Sequence, residues 1–278
     1  RQDPAAVFAA VHHLLLGHGL AARALRSAGA QNVSITLNPA AVFAVDPANP
    51  ADREAVRIID GLSNRIFLDP LLRGHYPADM LRHMARFTDL SYIADGDLET
   101  IHAPIDVLGI NFYNPSYVSA QPGTPGSPDQ PGSEGIAFRA PDGPVTDMNW
   151  LIEPSSLTRL LKRIHDDYPG TAMMITENGA AYPEVPSADG EVHDDRRVEY
   201  LDGHLRACHD ALAAGVDLRG YFVWSLLDNF EWAEGYAKRF GIVHVDYATQ
   251  ARVLKDSAKW YREVIRRNGI AEPGEIEG

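Results

Sequence analysis

Read for its alternation of apolar and polar positions, the chain divides into short apolar runs separated by stretches with helical spacing. Asp3-Pro4 pairs a capping carboxylate with a proline suited to a first turn, and Val7, Val11, Leu14, Leu15 and Leu25 follow at helical intervals. This predicts a long helix ending near Gly29, with those five side chains inward. "NVSITLNP" comes next, a brief apolar run stopped by Asn38-Pro39, and reads as a strand. From Pro47 to Tyr92 the pattern is helical in pieces, broken by "FLDPLLRGHYP". Three further apolar runs, "IDVLGINFY", "AMMITENG" and "LRGYFVWSLLDN", each close on polar residues, with helical patterns at Ser155 to Tyr168 and Asp195 to Ala214 between them. Strands alternating with helices imply parallel β-α-β units, and unbroken apolar character suits strands covered on both faces. The fold class is α/β.

Residues Gln121 to Pro144 are rich in Pro, Gly and Ser, yet "GINFY" precedes them and "MNW" follows, both polar clusters with aromatics. The segment therefore reads as a long loop over one site, not as a linker, and residues 1–278 read as a single domain. About four strands are counted where a closed (β/α)8 TIM barrel has eight, so the chain is expected to supply half of one, its last four β/α units.

The balance of 25 Lys plus Arg against 38 Asp plus Glu leaves a net charge of −13, which repels nucleic acid phosphates and anionic lipid heads. Neutral small molecules are the easier partners; neither nucleic acid nor membrane is expected as one. No run is read as long and apolar enough to span a bilayer, and the opening "RQDPAAVF" lacks the features of a signal peptide. The one cysteine, Cys208, sits at helical spacing with Leu201, Leu205 and Leu212, which reads as a buried apolar position and is compatible with a reducing cytoplasm. His12, His13 and His18 lack metal-ligand spacing, and no phosphate-cradling glycine loop is present, so no metal and no cofactor is expected. The charged stretches "HDDYP" and "VHDDRRVEY" read as solvated helix faces.

The strand ends carry the candidate chemistry: Asn38; Asn111 and Tyr113; Glu177 and Asn178; Trp224, Asp228 and Asn229. In a parallel barrel such ends converge on one mouth. A pyranose presents hydroxyls on its rim and C–H groups on its faces, and so calls for fixed polar groups over a flat aromatic floor. Glu177, Asn111, Glu231, Trp224, Trp232 and Tyr113 meet that requirement. The competing reading of Glu177 is an ion pair closing the strand.

"ITENG" at Ile175 to Gly179, "LGINFY" at Leu108 to Tyr113, "FLDPLLRGHYP" at Phe67 to Pro77 and "GYFVWSLLDNFEWAEGYAKRFGIVHVDY" at Gly220 to Tyr247 together resemble glycoside hydrolase family 1, the retaining β-glucosidases, in order along the chain. The resemblance implies Glu177 as nucleophile, with Tyr113 bonded to its carboxylate and Asn111 beside it. It implies Trp224 beneath the bound sugar, Glu231 and Trp232 gripping the hydroxyls remote from the scissile bond, Phe240 as an aromatic wall and Trp150 against the leaving group. The substrate implied is a β-glucoside or oligosaccharide cleaved at its terminal non-reducing β-D-glucosyl residue. A carboxylate at Glu231 would repel a 6-phosphate, which argues against the alternative of a 6-phospho-β-glucosidase.

A retaining glycosidase needs two carboxyl groups roughly 5 to 5.5 Å apart. The family carries the second in an Asn-Glu-Pro motif that this sequence lacks; "TLNP" and "IEP" each miss part of it. The chain is thus expected to be the C-terminal half of such an enzyme, its acid/base supplied by an N-terminal half on the same or a separate polypeptide. The alternative from a different class is a catalytically silent sugar-binding or assembly half-barrel.

Overall fold

The helix expected at the start runs from Pro4 to Ser27 (α1), its first turn capped by the Asp3 carboxylate, which accepts from the Ala5 amide at 3.1 Å. The computed structural model describes residues 3–270, so Arg1 and Gln2 of the opening segment lie outside the described residues. The inward stripe of α1 differs from the expected one: Phe8, His12, Leu15, Gly19 and Ala22 are buried, whereas Leu14 and Leu25 are 73% and 51% exposed. Steps of four, three, four and three residues keep one face in register, and Leu14 lies a sixth of a turn or more off it. By length and composition α1 is also apolar enough to cross a bilayer, contrary to the sequence reading. Within the protein its buried Leu15 packs with Leu71 and Ile101, and buried His12 bonds to Tyr76 Oη (3.0 Å) and Asp97 Oδ2 (2.9 Å).

The chain divides into two units, the first comprising Arg1–Ile110, Pro115–Asp142 and Ile164–Met173, the second Asn111–Asn114, Gly143–Arg163 and Met174–Gly278. This division stands beside the expectation of one domain over residues 1–278.

In the first unit, α1 is followed by β1 (Ser34–Leu37), β2 (Val42–Ala44), α2 (Pro50–Asp60), a π turn at Gly61–Arg65, α3 (Ile66–Arg73), α4 (Ala78–Met84), α5 (Asp97–Ile101), β3 (Val107–Asn111), β4 (Ser116–Ala120) and β5 (Ile136–Phe138). β1 and β3 pair in parallel, Ser34 opposite Val107 and Leu37 opposite Ile110, as strands of β-α-β units do. β4 pairs in parallel with β2 and antiparallel with β5, so the segment Gln121 to Pro144 is not loop throughout. The interruption in "FLDPLLRGHYP" falls at Gly74, not at Pro70, which lies buried inside α3. The core gathers Phe8, Ile59, Ile66, Tyr76, Met80 and Met84.

The second unit holds most of α6 (Ser155–Asp167) and of β6 (Met173–Asn178), then α7 (Asp195–Ala213), β7 (Leu218–Val223), β8 (Val243–Val245), β9 (Arg252–Leu254) and α8 (Asp256–Arg267). β6 neighbours β7 in its sheet, and β8 pairs antiparallel with β9. The expected strand "LRGYFVWSLLDN" stops at Val223; Trp224 to Asn229 leave it, beginning with a cis peptide between Trp224 and Ser225. Tyr200, Leu201, Ile242, Val243 and Trp260 form the core.

Two glycines of α1 have opposite surroundings. A β-carbon on Gly19 would lie 2.0 Å from the Thr100 carbonyl oxygen of α5, whereas one on Gly17 meets nothing within 4 Å. Gly19→Ala is therefore expected to cost about 1–3 kcal/mol through overpacking. Gly17→Ala is expected to add about 0.5–1 kcal/mol by lowering the helix's entropic cost. Thermal denaturation of the two variants should shift in opposite directions.

Candidate active site

The site is built at the end of β6. Met173 and Ile175 are buried as the strand leaves the core, and Glu177 follows, half-buried. Its backbone oxygen accepts from the Phe112 amide (2.9 Å), which fixes the strand end against the residues just past β3. Asn111 closes β3, and Tyr113 follows it two residues on. Tyr113 Oη donates to Glu177 Oε2 at 2.7 Å, and Asn111 Oδ1 accepts from the Thr176 hydroxyl at 2.8 Å. Burial first, and then the bond to Glu177, hold the Tyr113 phenol far above its ordinary range, so it remains a donor. Among the described residues Glu177 has no arginine, lysine or histidine partner, so the ion-pair reading of this carboxylate is not what the structure holds.

Asn178 belongs to the other side. Consecutive strand residues point to opposite faces. Accordingly Asn178, fully buried, donates to the Phe112 carbonyl (2.6 Å) and meets Tyr200 Oη (3.1 Å), while Tyr221 donates to its oxygen. Tyr200 Oη also donates to the Tyr113 carbonyl at 2.9 Å. Asn178 is thus an anchor under the site and not a ligand-facing amide. Tyr200 and Tyr221 escaped the sequence reading; their only signal was a tyrosine at a core position of a helix or strand.

Two aromatics pack around Tyr113 and against each other: ring centroids lie 5.3 Å apart for Tyr113 and Trp150, 6.1 Å for Tyr113 and Phe240, and 6.0 Å for Trp150 and Phe240. Trp224 follows β7; its amide donates to the Asn178 carbonyl (2.9 Å). Gly179 backs onto it so closely that a β-carbon would sit 1.9 Å from the Trp224 oxygen, which explains the glycine after Glu-Asn. The Trp224 indole donates to Glu231. Burial, helped by the nearby charges of Glu177 and Glu234, raises the Glu231 carboxyl above its ordinary value against that bond, which lowers it. Glu177, Tyr113, Trp150, Phe240, Trp224 and Glu231 are thus brought together. Trp232, next to Glu231 in a short 3-10 turn, is 82% exposed, and no ring contact holds it among the described residues.

The remaining candidates have other work. Asp228, with a fully buried side chain, accepts from Arg239 Nη1 (2.7 Å), Lys255 Nζ (3.1 Å) and the Gly241 amide (3.0 Å), so it is a structural anion and not a ligand group. Asn229 turns back to Ser225 Oγ and the Leu227 carbonyl, both at 3.1 Å. Lys238 is engaged by Asp147 at 3.0 Å. Asn38 is exposed on the first unit, lining a cavity of about 450 Å³ with Thr36 and Asn64. "VHDDRRVEY" is a solvated face only in part: His193, Asp195, Arg196 and Glu199 are exposed, but Asp194, Arg197 and Tyr200 are 2%, 0% and 2% exposed, because their charges and hydroxyls find partners inside. Cys208 is buried as expected, and burial pushes its thiol up to about 12.

Comparison with known proteins places this geometry. The sequence profile of Glycosyl hydrolase family 1 matches residues 1–270. Thermostable beta-glucosidase B of Thermobispora bispora is 52% identical over 95% of this chain and 53% of its own length. The bifunctional beta-D-glucosidase/beta-D-fucosidase of Bifidobacterium breve is 45% identical over 93% of this chain and 57% of its own. Among solved structures, a psychrophilic beta-glucosidase from Micrococcus antarcticus superposes with a TM-score of 0.92 at 48% identity, over 97% of this chain and 60% of that one. The Thermotoga maritima beta-glucosidase in complex with deoxynojirimycin gives 0.88 at 39% identity, over 97% and 59%. The chain therefore spans between half and three-fifths of the length of these relatives, and its α/β fold is part of their barrel.

One support of the site carries a pH signature. His204 stacks on Tyr200 with centroids 4.0 Å apart, and its Nδ1 donates to the Tyr200 carbonyl at 2.7 Å. Burial pushes this imidazole from 6.5 down to about 4. Between those values the unfolded chain takes up a proton that the folded chain refuses, so folding stability is intact above pH 6.5 and declines as pH falls to about 4. His204→Gln is expected to flatten that slope in urea titrations repeated across the window, whatever its effect on absolute stability.

Proposed function

We propose that this chain, which belongs to glycosyl hydrolase family 1, carries the nucleophile side of a retaining β-glucosidase site acting on terminal non-reducing β-D-glucosyl residues. The observation that carries the reading is the state of Glu177: a half-buried carboxylate held by a neutral donor, Tyr113, with no cationic partner among the described residues. Such a group keeps a lone pair for attack. In the first step a Glu177 oxygen bonds to the anomeric carbon while the bond from that carbon to the leaving oxygen breaks. The leaving oxygen takes a proton from a second carboxyl group, and water later cleaves the glycosyl ester with inverse proton movement.

Trp224 offers the sugar a floor, Glu231 and Trp232 accept or cover its distal hydroxyls, Asn111 supplies an amide beside the nucleophile, and Phe240 and Trp150 form the wall toward the leaving group. The ring contacts among Tyr113, Trp150 and Phe240 support this arrangement. Glu231 has the raised carboxyl that an acid needs, but its bond from the Trp224 indole suits a binding role better. The proton donor is assigned to an N-terminal half, on the same or another polypeptide. A 6-phosphoglucoside is disfavoured because Lys238 and Arg239 are spent on Asp147 and Asp228, and Glu231 would face the phosphate. A reducing, cytoplasmic setting suits the single buried thiol.

An aryl 2-deoxy-2-fluoro-β-glucoside with a good leaving group needs no acid to depart. Incubated with the chain, it should add one fluoroglucosyl mass to the peptide containing Glu177 and none to the Glu177→Gln variant. Absence of label, or label elsewhere, would overturn the assignment in favour of a silent binding module. In parallel, the polypeptide alone is expected to leave alkyl β-glucosides and cellobiose intact; their rapid hydrolysis would contradict the division of labour between two halves.

A further inference from the structure

The charged stretch around Arg197 does something that neither its composition nor the proposed chemistry requires. Its guanidinium is fully buried, and its donors reach four residues: two in the connection after β6, one at the cap of its own helix and one beside Phe240. Nε donates to the Ala180 carbonyl (3.2 Å), Nη1 to the Asp194 carboxylate, and Nη2 to Glu184 Oε2 (3.1 Å) and the Arg239 carbonyl (2.8 Å). Ala180 lies three residues past Glu177, and Arg239 immediately precedes Phe240. Phe240 in turn packs on Tyr113, whose hydroxyl donates to Glu177. The contacts close into a circuit: Glu177, Ala180, Arg197, Arg239, Phe240, Tyr113 and back to Glu177.

We propose that Arg197 is a positioning residue for the Glu177 site, its planar fork setting the separation between the nucleophile's strand end and the Phe240 wall. This rests on the reading of Glu177 as nucleophile. Two backbone carbonyls from different segments are held by one rigid plane, so neither can shift alone without leaving a buried N–H unpaired. The balance of charge inside the cluster serves the same end. Asp194 and Glu184 neutralise Arg197, and Asp228 neutralises Arg239 on the far side of Phe240 while also fixing the Gly241 amide. Phe240 is thus clamped through the residues on both sides of it. Asp194 is clamped in turn by the Ser257 amide at 2.7 Å, which ties the fork to the start of α8.

Lysine keeps the charge of arginine and loses the fork. Arg197→Lys is expected to retain far-UV circular dichroism, to lose the near-UV signal of the Tyr113, Trp150 and Phe240 cluster, and to bind deoxynojirimycin at least about tenfold more weakly than the unaltered chain. A folded Arg197→Lys variant with unchanged near-UV signal would overturn the proposal, because a merely structural arginine lowers the melting temperature without moving that signature. If the lysine variant does not fold, Arg197→Ala refolded with guanidinium ion, at concentrations far below those that unfold proteins, decides the matter. Return of both helix content and the near-UV signal supports the positioning role. Return of helix content alone, or of neither, counts against it. Should the unaltered chain itself fail to bind deoxynojirimycin, the functional reading of Glu177 falls, while the near-UV comparison still judges Arg197.

Discussion

A single hydrogen bond, from the Tyr113 phenol to the Glu177 carboxylate at 2.7 Å, is the constraint around which the second unit is organised. A carboxylate withdrawn partly from water is costly unless something favours its charge. A cation would do so most strongly and would also occupy it. A neutral phenol whose own ionisation is suppressed by burial gives direction and partial stabilisation, and leaves the charge available. The surrounding structure keeps that phenol in place: the Tyr113 carbonyl is held by Tyr200, and its ring by Trp150 and Phe240.

The same strand end shows why an apolar run should terminate in Glu-Asn-Gly. Alternation sends Glu177 to one side and Asn178 to the other, where it is locked by the Phe112 carbonyl, Tyr200 and Tyr221. Glycine follows because the Trp224 carbonyl occupies the space of a β-carbon. Each of the three residues answers a different demand: an unpaired carboxylate on the site side, anchoring, and close approach. Below them Arg197 and Asp228 gather the chain segments that carry Phe240, Glu184 and α8 into one balanced set of charges. Replacing any one of these ions leaves a partner buried without compensation, so the set behaves as a unit.

Long apolar runs and helical stretches were legible in the sequence because they contain enough positions to show a period; β1, β3, β6, α6 and α7 lie where the pattern placed them. β2, β5, β8 and β9 span three residues each, too few for any alternation to register. The inward face of α1 departs from its apolar stripe because Gly19 and Ala22 are buried for being small and His12 for its bonds to Tyr76 and Asp97. Of the site, the strand-end groups Glu177, Asn111 and Tyr113 were legible from chemistry, and Trp150 and Phe240, which pack on Tyr113, were pointed to only by family resemblance. The buried charges of "VHDDRRVEY" were hidden for a general reason: a charge run is indistinguishable from a solvated face until its partners, here Ala180, Glu184, Arg239 and Ser257, are brought in from distant positions.

The proposed role of Glu177 requires its charge to be free to meet a sugar carrying positive charge near its anomeric centre. Calorimetric titration of deoxynojirimycin, a cationic imino sugar, into the chain and its Glu177→Gln variant tests this most directly. Binding to the unaltered chain is expected, with a loss of at least about thirtyfold in affinity in the variant, the penalty of removing one member of a desolvated charge pair. Equal affinity for the two would contradict it.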